Sequence, residues 1–485
     1  MFRPIAPVRH LKTLVLLLLA GALSFSSCNV LELREADADV YAVPEETAPR
    51  PDQVPETEAP LPADLPAAEE TIPAAEETEP PETEPPETEI FRPVIPTEDR
   101  EVSSDAEQWI ERYDAVFGAG KADEVILSTE EIESYNRRMT ENCPTLVDIA
   151  AIPDTVDGES LKNRIAAYAF PQGDKYDRGG SRIDDEMRAA VLLNRNLDAL
   201  GETAEVTPGI VTARCDMRSF PTSLGFYERG DTFYSRIQQT ELIVGMPVWI
   251  LHRSADGSFL YVQSYYYEGW ITASAAAYCD KETFAQFCSP EVFVTITAPK
   301  TDAGHTTLDM GVKLPCVDET EDAYTAVLPM REAGGACSSS RVQIPKSEAY
   351  PGYLPYTMRN YYAQAFAYLG TQYGWGGADG GIDCSGFVCA VFRTFGVMLP
   401  RDTREQKDYA GEVTYTEGYG PEDKDALLSA LSAPAALFSP GHVMLYLGKG
   451  WDGAHYVIHA PKGGDYVKVA VFDINRQLTS VVTLK

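Results

Sequence analysis

The sequence is poor in histidine and in basic residues, and it lacks the patterns of a protein metal site. Six histidines occur among 485 residues, and 40 basic against 74 acidic residues give a net charge of −34. An acidic chain without a basic patch disfavours nucleic acid and anionic lipid surfaces as partners. No C-x-x-C pair and no H-E-x-x-H run is present, so the sequence predicts neither a metal nor a cofactor.

The sequence also lacks an apolar run long enough to cross a membrane. The run from Leu14 to Leu23 falls short of the roughly 20 apolar residues that a spanning helix needs. Because Arg3, Arg9 and Lys12 precede this run, we expect residues 1–27 to be a secretory signal peptide.

The residues Ser26-Ser27-Cys28 resemble a lipoprotein cleavage site, which would make Cys28 the lipid-bearing residue. Ordinary cleavage near Ser27 is the alternative. With the lipid, the protein is expected in the cell envelope, on the extracytoplasmic side of the membrane. The lipid anchor would then be its only contact with the membrane.

Residues 28–100 have no apolar periodicity and are dominated by Pro-Glu-Thr repeats. Between residues 29 and 99 there are 21 acidic and 3 basic residues. Such a segment cannot bury enough apolar surface to offset the entropy lost on ordering it. We therefore expect an extended, disordered tether that holds the folded part away from a membrane.

A glycine-rich loop starting at Tyr373 leads into a predicted helix that begins at Cys384. Apolar residues recur at helical spacing from Phe387 onward, and Gly396 stands where this helix would end. Asp383 could cap the helix, whose first turn favours negative charge. Since the thiolate is the reactive form of cysteine, this position predicts a lowered pKa for Cys384 and would suit a nucleophile. A buried cysteine that packs in an amphipathic helix is the alternative.

Two histidines follow in short predicted β-strands flanked by glycine. A thiol nucleophile needs a base within hydrogen-bond reach, and that base needs an orienting partner. His442 and His459 provide two imidazoles for these roles. His455 is an alternative to His459 as the orienting residue, but its position after Gly453-Ala454 favours the edge of the strand.

Several motifs near the C-terminus occur in the order found in one peptidase family. Tyr-Gly-Trp-Gly-Gly begins at Tyr373, Asp-Cys-Ser-Gly-Phe-Val at Asp383 and Leu-Pro-Arg-Asp-Thr at Leu399, and the two histidine segments follow. Residues 357–485 thus resemble the NlpC/p60-type cell-wall cysteine peptidases. The resemblance implies a papain-like domain, in which the helix that carries the cysteine packs on an antiparallel sheet that carries the histidines.

The resemblance also implies the reaction and the roles in it. Cys384 is expected to be the nucleophile, His442 the general base, and His459 the residue that orients the ring of His442. The expected reaction is hydrolysis of the bond between γ-D-glutamate and a diamino acid in peptidoglycan stem peptides. Released peptides with a free L-Ala amino end are the expected substrates.

Three further residues are expected to bind the substrate. In relatives with SH3-like modules, the residues matching Asp383 and Ser385 help to hold the free amino end of the peptide. Tyr373 is expected to add a hydrogen-bond donor to the oxyanion site.

The middle of the chain predicts helices followed by strands. Residues 101–207 are expected to be a helical stabilising region, with helices near 104–117, from 128 to 139 and from 185 to 200. Short strands separated by turns then predict small β-barrels. By resemblance, these are two SH3-like modules at 208–288 and 289–356. With the catalytic domain at 357–485, the predicted fold class is α+β.

Some features of the middle region allow more than one interpretation. The aromatic cluster Tyr261, Tyr265, Tyr266 and Tyr267 could form a wall-binding face or the core and rim of a barrel. Nine cysteines occur in the chain, and pairs such as Cys279–Cys288 or Cys316–Cys337 are possible disulfides. Cys389 is expected to serve packing.

Two other functions remain open from the residues alone. One is a non-catalytic wall-binding lipoprotein on the same fold, and the other is an acyl-transferring enzyme with the same cysteine–histidine pair. The sequence does not identify the diamino acid, the accepted stem length, the oligomeric state, or the choice between wall turnover and peptide recovery.

Overall fold

The computed structural model describes residues 91–94 and 104–485. The predicted signal peptide, the lipidation residue Cys28 and the tether at 28–90 and 95–100 lie outside the described residues. Residues 91–94 have no regular secondary structure, and the backbone N–H of Val94 donates to Glu319 at 2.9 Å. At this point the predicted tether contacts the folded part. Among the described residues, no helix combines the length and the apolar character needed to cross a bilayer.

The region predicted to be helical contains four α-helices and a two-stranded ribbon. The three predicted helices are present, and Ser128 and Glu131 form a capping box at the second one. The helix that begins at Asp185 ends at Asn194, before the predicted end at residue 200. Asn196, just beyond this end, has a left-handed backbone with a φ of 55°. The helix from Gly158 was not predicted. The elements are α1 Ser104–Phe117, α2 Thr129–Asn142, β1 Thr155–Asp157, α3 Gly158–Ala167, α4 Asp185–Asn194 and β2 Thr203–Glu205.

A seven-stranded antiparallel sheet follows, in the order β5-β4-β8-β7-β6-β3-β9. Within the described chain its two outer strands do not pair with each other, so the predicted closed barrel is not seen. Tyr261, Tyr265 and Tyr266 are buried, which makes their interpretation as a wall-binding face wrong. The strands are β3 Thr207–Val211, β4 Cys215–Arg218, β5 Gln238–Leu242, β6 Pro247–Arg253, β7 Phe259–Gln263, β8 Glu268–Thr272 and β9 Ala276–Tyr278.

Helix α5, Lys281–Cys288, leads into a five-stranded sheet with the order β15-β14-β13-β10-β16 and a separate hairpin β11–β12. All eight cysteines of the described residues are free, so neither Cys279–Cys288 nor Cys316–Cys337 is paired here. The strands are β10 Phe293–Ile296, β11 Lys300–Asp302, β12 Thr307–Asp309, β13 Lys313–Glu319, β14 Ala323–Arg331, β15 Cys337–Pro345 and β16 Ala349–Pro351.

The last part of the chain packs helices on a six-stranded antiparallel sheet with the order β17-β22-β18-β19-β20-β21. The helix that begins at Cys384 is buried along its whole length and packs on β19, as the sequence predicts. The elements are α6 Met358–Ala367, α7 Cys384–Arg393, α8 Thr403–Tyr409, β17 Glu412–Tyr415, α9 Pro421–Ser429, β18 Ala435–Ser439, β19 His442–Lys449, β20 His455–His459, β21 Lys468–Val471 and β22 Ser480–Thr483.

Candidate active site

Cys384 is the first residue of α7, and the residue before it caps the helix. The Asp383 carboxylate accepts a hydrogen bond from the backbone N–H of Gly386 at 2.7 Å. A side-chain oxygen at this position satisfies one of the N–H groups that a helix leaves unpaired at its start. The cap therefore fixes the start of α7, and with it the position of the Cys384 sulfur.

The glycine-rich loop before α7 makes room for strand β5. Gly376 and Gly377 have φ values of 55° and 74°, in the left-handed region that favours glycine. A Cβ atom at Gly377 would overlap the Glu241 carboxylate, and one at Gly376 would lie 2.9 Å from the Cγ of Gln238. At these two positions the glycines allow close approach of another part of this chain.

The guanidinium of Arg401 holds the capping residue. This side chain is 3% exposed and donates to Asp383 through two nitrogens, at 2.8 and 3.0 Å. It also donates to Ser385 Oγ at 2.8 Å, to Thr240 Oγ1 at 2.7 Å and to the Glu241 carboxylate at 3.2 Å. Arg401 thus joins the start of α7 to strand β5, which lies about 160 residues earlier in the chain.

The predicted amine-binding residues are therefore already engaged in this structure. Both carboxylate oxygens of Asp383 accept hydrogen bonds from Arg401, and Oδ2 also accepts from the backbone N–H of Gly376 at 2.9 Å. The Ser385 hydroxyl lies between Arg401 and Asp383. Their role toward a substrate stays a prediction.

The two predicted catalytic histidines face each other on adjacent strands. His442 begins β19 and His459 ends β20, and the His442 Nε2 lies 2.8 Å from the His459 Nδ1. The backbone N–H of Val443, the residue after His442, acts on the Cys384 thiol and lowers its pKa against the larger effect of burial, and α7 packs on β19. The sulfur thus lies at the start of β19, beside the residue predicted to be its base.

His455, the alternative orienting residue, has other partners. Its Nδ1 lies 2.7 Å from the Tyr446 hydroxyl, and its Nε2 lies 2.8 Å from the Asp425 carboxylate. The geometry therefore favours His459 over His455 as the partner of His442.

Burial keeps the cysteine and both imidazoles neutral. It raises the pKa of Cys384 to about 12, with the charge of Asp383 acting in the same direction. The Val443 N–H and the Arg401 charge oppose this shift without overcoming it. Burial also lowers the pKa of His442 to about 3 and that of His459 to about 4. The predicted lowering of the Cys384 pKa is therefore wrong for this structure. The arrangement is a thiol beside a neutral imidazole that can accept its proton.

Tyr373 lies in the same site. Burial raises the pKa of the Tyr373 hydroxyl, and the charge of Asp383 acts in the same direction, so the hydroxyl remains a hydrogen-bond donor. The backbone of Tyr373 pairs with that of Ile382, two residues before Cys384. The Tyr373 ring lies 6.1 Å from the ring of Tyr234, a residue of the segment between β4 and β5. Tyr373 is thus close to Cys384, as its predicted role requires.

The segment between β4 and β5 contacts the loops around the site, and no sequence pattern predicted these contacts. Tyr234 accepts a hydrogen bond from the backbone N–H of Gly463 at 2.7 Å, and its ring also contacts Trp375 at 5.6 Å. Phe233 packs against Gly463. The segment between β4 and β5 therefore connects the glycine-rich loop to the loop that follows His459, and it encloses one side of the site.

Asp402 adds a half-buried carboxylate near these groups. Burial raises its pKa, against the opposing charge of the neighbouring Arg401. The Tyr267 hydroxyl donates to it at 3.3 Å. Asp402 belongs to the Leu-Pro-Arg-Asp-Thr motif that begins at Leu399, and the sequence pattern predicted no role for it.

The comparisons with known proteins agree with this arrangement. The NlpC/P60 family model matches residues 370–480, and an SH3 domain model of the SH3b1 type matches residues 226–272. A protein named dipeptidyl-peptidase 6 from Lysinibacillus sphaericus is 30% identical over 244 residues, covering 48% of this chain and 83% of that protein. The chain belongs to the NlpC/P60 family.

One further sequence relative and one solved structure are also similar to this NlpC/P60 chain. A γ-D-glutamyl-L-lysine dipeptidyl-peptidase from Bacillus cereus is 24% identical over 257 residues, covering 48% of this chain and 69% of that protein. The solved structure of an NlpC/P60 endopeptidase from Photobacterium damselae subsp. piscicida covers 76% of this chain and 89% of its own, with 21% identity and a TM-score of 0.59. The latter shows that the fold is shared. The second SH3-like module, at 289–356, stays a prediction.

The protonation states give a testable pH dependence. Because burial raises the pKa of Cys384, we expect its alkylation by iodoacetamide to accelerate about tenfold per pH unit between about pH 6 and pH 9, as the thiolate fraction rises. Mass spectrometry of the peptide that contains Cys384 measures the rate. A rate that is already constant from about pH 5 would contradict a neutral thiol, since it requires a stabilised thiolate.

The choice between the two imidazole partners can be tested in the same assay. We expect His459→Ala to slow alkylation of Cys384 at neutral pH, because His442 loses its partner at 2.8 Å. His455→Ala is the matched control, since its ring bonds Tyr446 and Asp425 instead. If His455→Ala slowed the reaction and His459→Ala did not, the assignment would be reversed.

Proposed function

We propose that this protein is a cysteine peptidase that hydrolyses the γ-D-glutamyl–diamino acid bond of peptidoglycan stem peptides with a free L-Ala amino end. The observation that carries the proposal is the packing of α7, which begins at Cys384, on β19, whose first residue His442 contacts His459. The name of the B. cereus relative, a γ-D-glutamyl-L-lysine dipeptidyl-peptidase, supports the bond that is cleaved.

In the proposed mechanism, His442 removes the proton of Cys384 as the sulfur attacks the γ-carbonyl carbon. A neutral imidazole is required for this step, and the lowered pKa of His442 provides it at neutral pH. The tetrahedral intermediate collapses to a thioester when the diamino acid amine leaves with the proton from His442. Water then attacks the thioester with His442 again as base, which releases the dipeptide and restores the thiol.

Two groups would stabilise the oxyanion of each tetrahedral intermediate. The backbone N–H of Cys384 lies in the first turn of α7, where it has no partner within the helix. The Tyr373 hydroxyl is the second proposed donor, since its raised pKa keeps it protonated. His459 would hold the ring of His442 through the contact between Nε2 and Nδ1.

Acidic groups beside the cysteine support recognition of a free amino end. Asp383 and Ser385 are proposed to contact the amine, and Asp402 provides a further, half-buried carboxylate that an ammonium group would neutralise. The segment that carries Tyr234 encloses one side of the site, which favours a short peptide over intact wall. The protein is further proposed to be anchored through Cys28 at the extracytoplasmic side of the membrane.

The proposal predicts the product and the residue required for it. The protein should release L-Ala-γ-D-Glu from L-Ala-γ-D-Glu-L-Lys or its diaminopimelate analogue, measured by mass spectrometry. Cys384→Ala should lower turnover more than about 1,000-fold, because the nucleophile is lost. Cys389→Ala is the matched control, since that thiol lies in the same helix but bonds only Pro400 and Gln406.

Two outcomes of this experiment would contradict the proposal. Undiminished turnover by Cys384→Ala would exclude the thiol as the nucleophile, and equal cleavage of the N-acetylated peptide would exclude recognition of the free amine. Addition of glycinamide distinguishes hydrolysis from acyl transfer. An acyl-transferring enzyme would form L-Ala-γ-D-Glu-glycinamide in place of the free dipeptide.

The two-nitrogen contact of the Arg401 guanidinium with Asp383 is also expected to affect turnover. Arg401→Lys keeps the charge but loses the two-nitrogen contact with Asp383, so the start of α7 is held less firmly. We expect kcat for the tripeptide to fall at least about tenfold, consistent with a misplaced nucleophile. Arg404→Lys, at an arginine side chain that is 82% exposed, should leave kcat unchanged. Equal kcat in both variants would contradict a positioning role for Arg401.

A further inference from the structure

A groove of about 540 Å³ lies between α1 and the hairpin of β19 and β20, outside the proposed peptidase site. Trp109 and Arg112 of α1 line one side, and Trp451 and Tyr456 of the hairpin line the other. Its volume is in the range of small-molecule sites, which run from about 300 to 1,000 Å³. Nothing in the proposed peptidase mechanism uses it.

Trp451 is a large aromatic side chain held in an exposed position. It lies in the tight turn between β19 and β20 and is 71% exposed. The guanidinium of Arg112 covers its ring at 4.5 Å from the ring centroid. Arg112 is itself held by a hydrogen bond of 2.9 Å from Nε to the backbone carbonyl of Lys449. Arg112 therefore covers one face of the indole, while the rest of the ring keeps a large exposed surface along the groove.

The deeper part of the groove is also aromatic. The rings of Trp109 and Tyr456 lie 5.3 Å apart and are tilted by 58°. The Tyr456 hydroxyl donates to Asp452 at 2.8 Å, which fixes the orientation of that ring. Trp109 is 7% exposed and supports the Tyr456 ring, so Trp451 and Tyr456 provide the apolar faces, each of about the size of a sugar ring.

The polar groups of the groove carry no net charge. Asp105 and Asp452 contribute two negative charges, and Arg112 and Lys468 contribute two positive charges. A balanced rim gives no advantage to a strongly charged ligand such as a phosphate or an acidic peptide. It does provide several hydrogen-bond donors and acceptors around the aromatic faces.

We propose that this groove binds a saccharide, specifically a neutral oligomer of N-acetylated hexosamines. The C–H face of a pyranose ring packs on an aromatic ring, while its hydroxyl and acetamide groups bond the polar side chains around it. The aromatic rings and the balanced charges match these two features of one ligand. An exposed tryptophan that is already ordered binds at a low cost in side-chain entropy.

The groove shares the sheet of the proposed peptidase site. Tyr456 lies three residues before His459 on β20, and Lys468 of β21 pairs with His459 across the sheet. A bound glycan would therefore lie along the strands that position the histidines. The proposal concerns binding alone and does not depend on peptide cleavage, because the ligand contains no peptide bond.

Titration of the full chain with tri-N-acetylchitotriose tests the proposal, with calorimetry and tryptophan fluorescence as the readouts. We expect a saturable binding curve with a Kd of about 1 mM or tighter, as for a small ligand held by a few contacts. Trp451→Ala should weaken binding at least about tenfold, and Trp451→Phe should retain more affinity because an aromatic face remains. Tyr415→Ala, at an aromatic residue that is 60% exposed and outside the groove, is the matched control and should bind as the unmodified chain does.

Two results would overturn the proposal. One is the absence of saturable binding by the unmodified chain, and the other is equal affinity in Trp451→Ala. A loss of binding can be distinguished from a loss of fold. Because the exposed Trp451 side chain contributes little to stability, Trp451→Ala should keep the circular dichroism spectrum and the Tm of the unmodified chain.

Discussion

The buried contact between Arg401 and Asp383 is the interaction on which the candidate active site depends. Asp383 caps α7 and thereby fixes the position of Cys384, and Arg401 holds both oxygens of that carboxylate. The same guanidinium reaches Glu241 of β5, so the seven-stranded sheet and the nucleophile helix share one anchor. A buried ion pair of this kind carries a desolvation cost, which good geometry and further hydrogen bonds offset. Removing one partner would leave a buried charge unpaired beside the reactive sulfur.

This anchor also explains why the site is built from three parts of the chain. The nucleophile comes from a helix, the imidazoles come from two neighbouring strands, and the enclosing Tyr234 comes from the segment between β4 and β5. The close fit between these parts removes water from the sulfur. That loss of solvation outweighs the favourable field at the start of the helix, so the resting thiol stays protonated.

Features encoded locally were predicted well from the sequence. The start of α7 follows from a capping aspartate and an apolar helical period, and the histidine strands follow from short apolar runs beside glycine. Features set by distant contacts were not predicted. The bond from Arg401 to Glu241 joins residues 160 positions apart, and the close approach of Gly377 to β5 depends on the packed structure. Strand patterns likewise predicted short strands in this region but not the full set or the open order of the seven-stranded sheet.

The pKa of Cys384 shows the same limit of local reasoning. The helix start and Asp383 could be identified from the sequence, but the burial of the sulfur and the charge of a fixed carboxylate required the packed structure. The central claim is that a neutral imidazole of His442 stands ready beside a protonated thiol. Nitrogen NMR of ¹⁵N-histidine-labelled protein, assigned with a His442 variant, tests it at neutral pH. A neutral His442 ring, with one protonated and one unprotonated nitrogen, is the predicted result, whereas a ring protonated on both nitrogens would contradict it.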